Sequence, residues 1–291
     1  MNVDEYWISP IEKYDNLYLK RDDYFSPFKN GVNGGKVRQA ISLIRNNLDV
    51  IRNKYNNTII TTTSVNSPQG VIIASVAKYF GVKAIIGYGY LHSKEKLIKN
   101  NRLVEKAYNT GADIQIIANA SYNNVTNKAV EKIANENNYF LIKFGINGLN
   151  NPDSIFGVIE KQVENIPDVD NLVIPVGSGL NFVAIMRGIK KYKPKIKRII
   201  GVLSGADSTN TIKSFLKKDK ILNINDDYFG EAIFTYELYK SPLKYNQKKF
   251  IDEPIEFDPI YEVKSYLWIK DNLPDNEKTL LWIVGNQRKT Y

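Results

Sequence analysis

Two hydrophobic periodicities alternate along this chain, and their alternation limits its possible folds more than any other feature. The β-branched run TIITTT at 58–63 predicts a buried strand, and residues 71–81 continue with helical spacing as far as a glycine. Helices are also predicted over 93–109 and 123–138, and further strands at VKAIIG, DIQII, YFLI, LVIPV, RIIGVL and LLWIV. Strands separated by helices of this length are typical of βαβ units and largely parallel sheets. The sequence therefore predicts an α/β fold.

The length of the chain, 291 residues, is enough for one large domain or two modest ones. We predict two α/β domains, each a largely parallel sheet flanked by helices. The smaller domain would span 49–144, and the larger would combine 1–48 with 145–291. The least regular segment, 219–258, contains clustered Asp, Lys and Tyr residues and is interpreted as a lid or as the edge of a sheet.

The residue types that the chain lacks restrict its chemistry. There is no cysteine, which excludes a disulfide framework, a thiol nucleophile and a cysteine-based metal site. His92 is the only histidine, so a histidine-based zinc site is excluded too, and we predict no metal. Any reaction must therefore depend on Lys, Tyr, Ser, Asp or Glu side chains, or on a borrowed cofactor.

The charge and the apolar runs of the chain indicate its partners and its location. The net charge of +9 suits anionic ligands such as phosphates and also permits a nucleic-acid partner, although the lysines are scattered. The longest apolar runs, 71–77 and 172–176, are far shorter than the roughly 20 residues that cross a bilayer. Because the N-terminus is acidic and has no apolar signal core, we predict a cytoplasmic protein without a membrane partner.

The first candidate functional loop is NGGKVR at 33–38. Its two glycines precede a predicted helix and place Lys36 in the first helical turn. The helix dipole disfavours a cation at that position, which would favour a neutral, nucleophilic amine. The competing interpretation is an ordinary surface lysine at the start of a helix.

Two more candidate loops each lie between a predicted strand and a predicted helix. SVNSPQG at 64–70 offers small polar side chains and free amides that can hold an anion or a polar ring substituent; it is otherwise an ordinary loop with N-cap residues. GSGLN at 177–181 lets the backbone approach a phosphate at a helix N-terminus. It is not a P-loop, because no Gly-Lys-Ser/Thr follows.

Taken in order, these loops resemble the fold-type II pyridoxal-phosphate (PLP) enzymes, the group of tryptophan synthase β, cysteine synthase and threonine deaminase. LYLKRDDYFSPFKNGVNGGKVRQA is similar to the family's approach to its Schiff-base lysine, which implies that Lys36 carries the PLP cofactor and is catalytic. VGSGLN resembles the family's phosphate-binding glycine loop. That likeness implies cofactor contacts from Gly177, Ser178, Gly179, Leu180 and Asn181.

TSVNSPQG is similar to the Ser-Gly-Asn-His-Ala-Gln-Gly loop of the same family. The resemblance implies that Asn66 faces the ring hydroxyl of the cofactor. It also implies a substrate-carboxylate site with donors from Ser64, Asn66, Ser67 and Gln69.

A fourth segment narrows the resemblance. DPIYEVKSYLWIKD at 258–271 is similar to the Asp-Pro-Val-Tyr-Glu-Gly-Lys-Ser segment of the branch that contains 1-aminocyclopropane-1-carboxylate (ACC) deaminase and D-cysteine desulfhydrase. It implies that Tyr261 lies over the substrate as a catalytic acid–base residue. It implies that Glu262, also catalytic, contacts the pyridine nitrogen of the cofactor. The resemblance extends from about 17 to 286 and further implies a homodimer with an amino-acid substrate.

The reaction stays open at this point. Val65 stands where the deaminase branch has a serine, and Val284-Gly285-Asn286 replaces its Gly-Gly turn. Deamination, β-elimination or replacement, and racemisation are all open to a lyase-like or deaminase-like enzyme that acts at Cα or Cβ of an amino acid. Two alternatives keep the cofactor. One is a substrate whose aminoacyl group is carried by nucleic acid (DNA or RNA), and the other is a catalytically silent PLP-binding protein.

Overall fold

The computed structural model describes residues 3–120, 123–147, 153–205, 207–218, 235–245 and 247–285. Its strands are β1 (Ile11–Tyr14), β2 (Leu17–Arg21), β3 (Thr58–Thr62), β4 (Lys83–Gly89), β5 (Asp113–Ala118), β6 (Phe140–Ile142), β7 (Val169–Val176), β8 (Ile196–Leu203), β9 (Thr235–Lys240) and β10 (Thr279–Ile283). Its helices are α1 (Gly35–Asn46), α2 (Leu48–Lys54), α3 (Gln69–Phe80), α4 (Lys94–Asn100), α5 (Arg102–Thr110), α6 (Asn123–Asn137), α7 (Asp153–Glu160), α8 (Leu180–Tyr192), α9 (Thr209–Lys218) and α10 (Glu262–Asn272). Within these ranges, no helix has the length and apolar character that a membrane crossing needs.

The chain divides into two compact units. The larger unit comprises Met1–Pro27, Asn33–Gly35 and Phe156–Tyr291, and the smaller unit comprises Phe28–Val32 and Lys36–Ile155. The predicted domain boundaries differ from this division at 28–32, 36–48 and 145–155, which were assigned to the larger domain and belong to the smaller unit. The segments 36–48 and 145–155 also contact each other, because the hydroxyl of Ser42 donates to the carbonyl of Ser154 at 2.6 Å.

The larger unit contains a six-stranded sheet in the order β1-β2-β10-β7-β8-β9. β1 pairs with β2 in the antiparallel direction, and the other neighbouring strands are parallel. Val263, Tyr266 and Ile269 of α10 pack into the apolar cluster on this sheet. β9 belongs to the irregular segment 219–258 and forms one edge of the sheet, whereas 219–234 and residue 246 lie outside the described residues.

The smaller unit contains a parallel four-stranded sheet in the order β5-β4-β3-β6. Every residue of β3 is buried, as expected for the interior of a parallel sheet with both faces covered. Val130 and Ala134 of α6 pack against Ile60 and Ile85 of that sheet. The predicted α/β fold, with largely parallel sheets flanked by helices, is confirmed.

The single helix predicted over 93–109 was wrong, because the chain forms two helices there, α4 and α5. Asn101 separates them with extended backbone angles, φ −131° and ψ 98°. Its side-chain amide donates to the carbonyl of Leu97 at 2.8 Å, and its own carbonyl accepts from Val104 and Glu105. Asparagine competes in this way for backbone groups at helix ends, so Asn101 ends one helix and begins the next.

Candidate active site

Lys36 lies in the first turn of α1, as the sequence predicted. The residue is half-buried, and its amine donates a hydrogen bond to the carbonyl of Gly145 in the same unit. Burial lowers the pKa of Lys36 from 10.5 to about 7. A lysine with that pKa is partly neutral at neutral pH, so its amine can act as a nucleophile or as a base. The sequence predicted a neutral amine at Lys36 from the helix dipole. Burial of the amine alone is enough to explain it.

The lowered pKa makes Lys36 a pH-dependent cost to the folded state. Between about pH 7 and 10.5 the unfolded chain protonates this lysine and the folded chain does not, so the cost falls as the pH rises through that window. We expect Lys36→Met, without cofactor, to melt at a higher temperature than the wild type at pH 6. The gain should shrink at pH 8 and nearly vanish at pH 10. Thermal melting at the three pH values measures it, and a gain independent of pH would contradict the burial of the amine.

The loop at 64–69 follows β3 and leads into α3. The N–H of Ser67 donates to the carbonyl of Ser64 at 3.0 Å, and the N–H of Gln69 donates to the hydroxyl of Ser67 at 3.3 Å. These bonds form a tight turn that leaves Asn66 exposed at its tip, with Ser64 and Ser67 half-buried. Their accessible polar side chains are compatible with the predicted substrate contacts, which stay a prediction.

Gln69 differs from the rest of this loop, because its side chain is buried inside the smaller unit. Its amide nitrogen donates to the hydroxyl of Thr61 at 2.8 Å and to the carbonyl of Lys143 at 3.3 Å. Its amide oxygen accepts from the N–H of Gly145 at 2.7 Å. Both ends of the amide therefore have partners within the protein.

The glycine loop at 177–181 connects β7 to α8 in the larger unit. Gly179 caps α8 with a left-handed φ of +86°, a conformation that favours glycine. A Cβ on Gly177 would lie 3.1 Å from the ring of Tyr261. The loop therefore has close packing on one side and the free N–H groups of a 13-residue helix at its end. This is the geometry of an anion site at a helix N-terminus.

Two buried polar atoms near the glycine loop have no hydrogen-bond partner among the described residues. They are the side-chain oxygen of Asn181 and the hydroxyl of Ser208. Ser208 is 7% exposed, and its Cβ lies 3.5 Å from the position that a Cβ on Gly179 would take. Buried polar groups almost always have a partner, so these atoms indicate a missing polar ligand. Sequence analysis missed Ser208, because it lies outside the recognised motifs.

Tyr261 precedes α10, and its hydroxyl donates to the hydroxyl of Tyr245 at 3.3 Å. Lys264 is buried and fixes the segment that carries Tyr245, since its amine donates to the carbonyls of Ser204 and Lys244, each at 3.0 Å. The sequence analysis identified neither Tyr245 nor Lys264. Lys264 could have been found as part of the YEVKS motif, whereas Tyr245 lies in the irregular segment and gave no signal.

Glu262 is fully buried in the first turn of α10. Its carboxylate accepts hydrogen bonds from the N–H groups of Asp258 at 3.0 Å, Val284 at 3.0 Å and Gly285 at 3.2 Å. Burial, followed by the nearby charge of Asp258, raises the pKa of Glu262 well above 4.5, although the backbone donors oppose that rise. A positively charged ring nitrogen would favour the anion in this environment. The carboxylate is thus suited to the predicted cofactor contact.

Glu262→Gln tests how firmly this carboxylate is held. The amide can present its oxygen to one set of donors, but its NH₂ group must then face a buried backbone N–H. Near pH 4.5 we expect the free energy of unfolding to fall by about 1–3 kcal/mol, the cost of leaving a buried donor unpaired. The loss should shrink as the pH rises, because the buried anion of the wild type then costs increasing stability that the neutral amide does not. Urea unfolding measures it, with exposed Glu105→Gln on α5 as the matched control. Equal stability of the two variants would show that the backbone bonds contribute nothing.

The residues described so far fit PLP. The glycine loop of the larger unit, with the unpaired atoms of Asn181 and Ser208, suits a phosphate, and the buried carboxylate of Glu262 suits a pyridine nitrogen. In the smaller unit, Lys36 supplies an amine that is partly neutral. Each unit therefore contains groups that this cofactor needs.

The comparisons with known proteins agree with this fit. The family described as pyridoxal-phosphate dependent enzyme matches residues 6–234. The chain therefore belongs to the pyridoxal-phosphate dependent enzymes, and PLP is its cofactor. The predicted membership of fold type II, and with it PLP-dependent chemistry at Cα or Cβ, is confirmed.

Individual relatives cover nearly the whole chain. The chain is 27% identical to an O-seryl-dTMP PLP-dependent decarboxylase of Salmonella phage ViI, over 95% of this chain and 79% of that protein. The crystal structure of an ACC deaminase homologue superposes with a TM-score of 0.70 at 20% identity, and it covers 96% of this chain and 89% of that chain. The O-acetylserine-dependent cystathionine β-synthase of Helicobacter pylori gives a TM-score of 0.64 at 17% identity, with 97% and 94% covered. These two structures show the fold.

Proposed function

We propose that this enzyme is a lyase that breaks a bond at Cα or Cβ of an amino-acid group, with Lys36 as the lysine that carries the cofactor. The amine of Lys36 carries the proposal, because it follows a Gly-Gly pair at a helix start and its pKa is lowered to about 7. Such an amine can attack an aldehyde, and once released it can remove or return a proton at Cα. PLP, when bound, supplies the electron sink for the charge left on that carbon.

The other residues take the roles that the resemblance implies, and Ser208 and Tyr245 are added from the structure. The N–H groups of the glycine loop, Gly177, Ser178, Gly179, Leu180 and Asn181, hold the phosphate, and the hydroxyl of Ser208 adds a donor. Glu262 keeps the ring nitrogen protonated, and Tyr261 exchanges a proton with the substrate, oriented by Tyr245. Asn66 donates to the ring hydroxyl, and Ser64, Asn66 and Ser67 bind the substrate carboxylate.

Trapping the cofactor tests the assignment of Lys36. Borohydride treatment of the PLP-loaded protein, followed by peptide mass spectrometry, should place the reduced cofactor on Lys36. Lys29→Ala, which removes an exposed lysine of the preceding loop, should label as the wild type does. Label on another lysine, or none in a protein that retains PLP, would overturn the proposal.

A second candidate function is decarboxylation of an amino acid carried by a nucleotide. The likeness to the O-seryl-dTMP decarboxylase, which extends over 95% of this chain, supports it, and the net charge of +9 suits a phosphate-bearing substrate. In that reaction the bond between Cα and the carboxylate breaks and CO₂ leaves. A proton from Lys36 or Tyr261 takes its place, and the amino group stays on the product.

The two candidates differ in their products. O-seryl-dTMP should release CO₂ and keep its nitrogen if the second candidate is correct, whereas free amino acids should release ammonia or another leaving group if the first is correct. A panel of both substrate classes, assayed for CO₂ and for ammonia, separates them. A PLP-loaded protein that turns over neither class would support a silent PLP-binding protein instead.

We also propose a homodimer, on the resemblance to fold-type II enzymes alone, and the cytoplasmic location stays a proposal. Light scattering after gel filtration should give a mass near twice the 33.2 kDa of one chain. A mass of one chain at micromolar concentration would contradict the dimer.

A further inference from the structure

The turn at 143–147, which follows β6 in the smaller unit, has an unusual backbone. Gly145 has a φ of +81°, and Ile146 has a φ of +57°. A β-branched residue at positive φ is a rare and costly conformation. The N–H of Ile146 donates to the carbonyl of Lys143 at 3.1 Å, and Lys143 forms a bridge with Asn147. The surrounding structure must hold such a turn in place.

Gln69 is the side chain that holds it. Its amide nitrogen bonds to the carbonyl of Lys143, its amide oxygen bonds to the N–H of Gly145, and its third bond reaches the hydroxyl of Thr61. The hydroxyl of Thr61 in turn donates to the carbonyl of Ile142 at 2.7 Å. One buried amide therefore joins the ends of two strands, β3 and β6, to the turn.

Gly145 also accepts the hydrogen bond from the amine of Lys36. Its N–H is bound by Gln69, and its carbonyl accepts from the amine of Lys36. The side chain of the neighbouring Lys143 pairs instead with Glu131 at 3.4 Å. Burial lowers the pKa of Lys36, with no contribution from a charged neighbour among the described residues. The uncharged carbonyl of Gly145 is therefore the hydrogen-bond partner of the Lys36 amine.

We propose that Gln69 is a positioning residue that fixes the Gly145 carbonyl as the acceptor for the amine of Lys36 whenever that amine is not joined to the cofactor. This inference rests on the proposed function in one respect, the role of Lys36 as the cofactor lysine. It gives Gln69 a different role from the substrate contact that the sequence suggested. With both ends of its amide occupied, Gln69 acts on the reaction through Lys36.

The proposal predicts the sign of a pKa change. A carbonyl bonds more strongly to an ammonium group than to a neutral amine, so the Gly145 carbonyl favours the protonated form of Lys36. If Gln69 is replaced by leucine, the turn loses two bonds, Thr61 loses one, and the carbonyl of Gly145 is no longer held in place. The pKa of Lys36 should then fall further. A loss of structure alone would instead admit water and raise the pKa towards its ordinary value.

The experiment measures the amine in the protein without cofactor. Competitive labelling with acetic anhydride across pH, read by mass spectrometry of the Lys36 peptide, gives the titration midpoint. Gln69→Leu should lower the midpoint by about 0.5–1 pH unit, the equivalent of one lost hydrogen bond. The matched control is Gln39→Leu on α1, because Gln39 is equally buried and its amide has no partner among the described residues. The titration midpoint of Lys36 in Gln39→Leu should equal that in the wild type.

An unchanged or raised midpoint in folded Gln69→Leu would overturn the proposal. If that variant does not fold, Thr61→Val decides, since it removes one bond to Gln69 in a nearly isosteric exchange. A smaller fall of the midpoint is then expected, and no fall would overturn the proposal. Because no PLP is present, the result is independent of the borohydride experiment. Failure of that experiment would refute the cofactor role of Lys36 and leave the measured effect of Gln69 on its amine unchanged.

Discussion

Lys36→Ala is expected to reduce turnover by at least about 10²–10⁴-fold with any substrate that the wild type accepts, the range lost with one general acid–base group. The physical reason is that one amine has two tasks. It joins the cofactor covalently, and after release it moves the proton at Cα. Burial also lowers the pKa of Lys264, but its amine is bound to the carbonyls of Ser204 and Lys244, so it is a poor substitute.

The measurement is turnover of the variant with PLP at saturation, beside Lys29→Ala as a control that removes an equal charge from an exposed position. Lys29→Ala should keep wild-type turnover. Added ethylamine should restore part of the activity of Lys36→Ala, because a small amine can occupy the space of the deleted side chain and act as the base. Turnover of Lys36→Ala within a few-fold of the wild type would show that another group performs both tasks.

Local features of the site were predictable from the sequence. Lys36 was placed in a first helical turn because two glycines precede an apolar helical repeat, and the structure begins α1 at Gly35. The glycine loop was found because GSGLN follows the apolar run LVIPV, and the structure begins α8 at Leu180. In both cases a change of periodicity and a helix start lie within a few residues of each other, so the pattern specifies the local structure.

Contacts between distant segments were not predictable in the same way. The carboxylate of Glu262 is held by N–H groups of Val284 and Gly285, which come from the end of β10 rather than from its own motif. The family resemblance implied a substrate contact for Gln69, and gave no sign that its side chain is buried. Its partner Gly145 is 76 residues away, and the two meet because β3 and β6 are neighbours in the sheet. Sequence spacing carries no information about that pairing.

Gly34→Ala is expected to have the second large effect, on stability and on cofactor binding together. Gly34 has a φ of +85°, and a Cβ there would lie 2.1 Å from the carbonyl oxygen of Val284 and 2.8 Å from the Cα of Gly285. Both obstacles are backbone, so no side-chain rotation can relieve the contact. Val284 and Gly285 also donate the N–H groups that hold Glu262. Displacing them should release the carboxylate that we assign to the ring nitrogen.

Gly81→Ala is the matched control for backbone strain. Gly81 has a φ of +67°, and a Cβ there would meet nothing within 4 Å, so this variant should lose only about 1–2 kcal/mol for the left-handed conformation. Gly34→Ala should lose that amount and several kcal/mol more, as is typical of overpacking against a backbone that cannot yield. Urea unfolding gives the two losses, and titration of the cofactor absorption band gives PLP affinity, which should fall in Gly34→Ala alone. If both variants lose equal stability and both keep wild-type affinity, the close approach of 33–35 to the end of β10 does not support the cofactor site. The role of Glu262 would then need support that does not depend on this close approach.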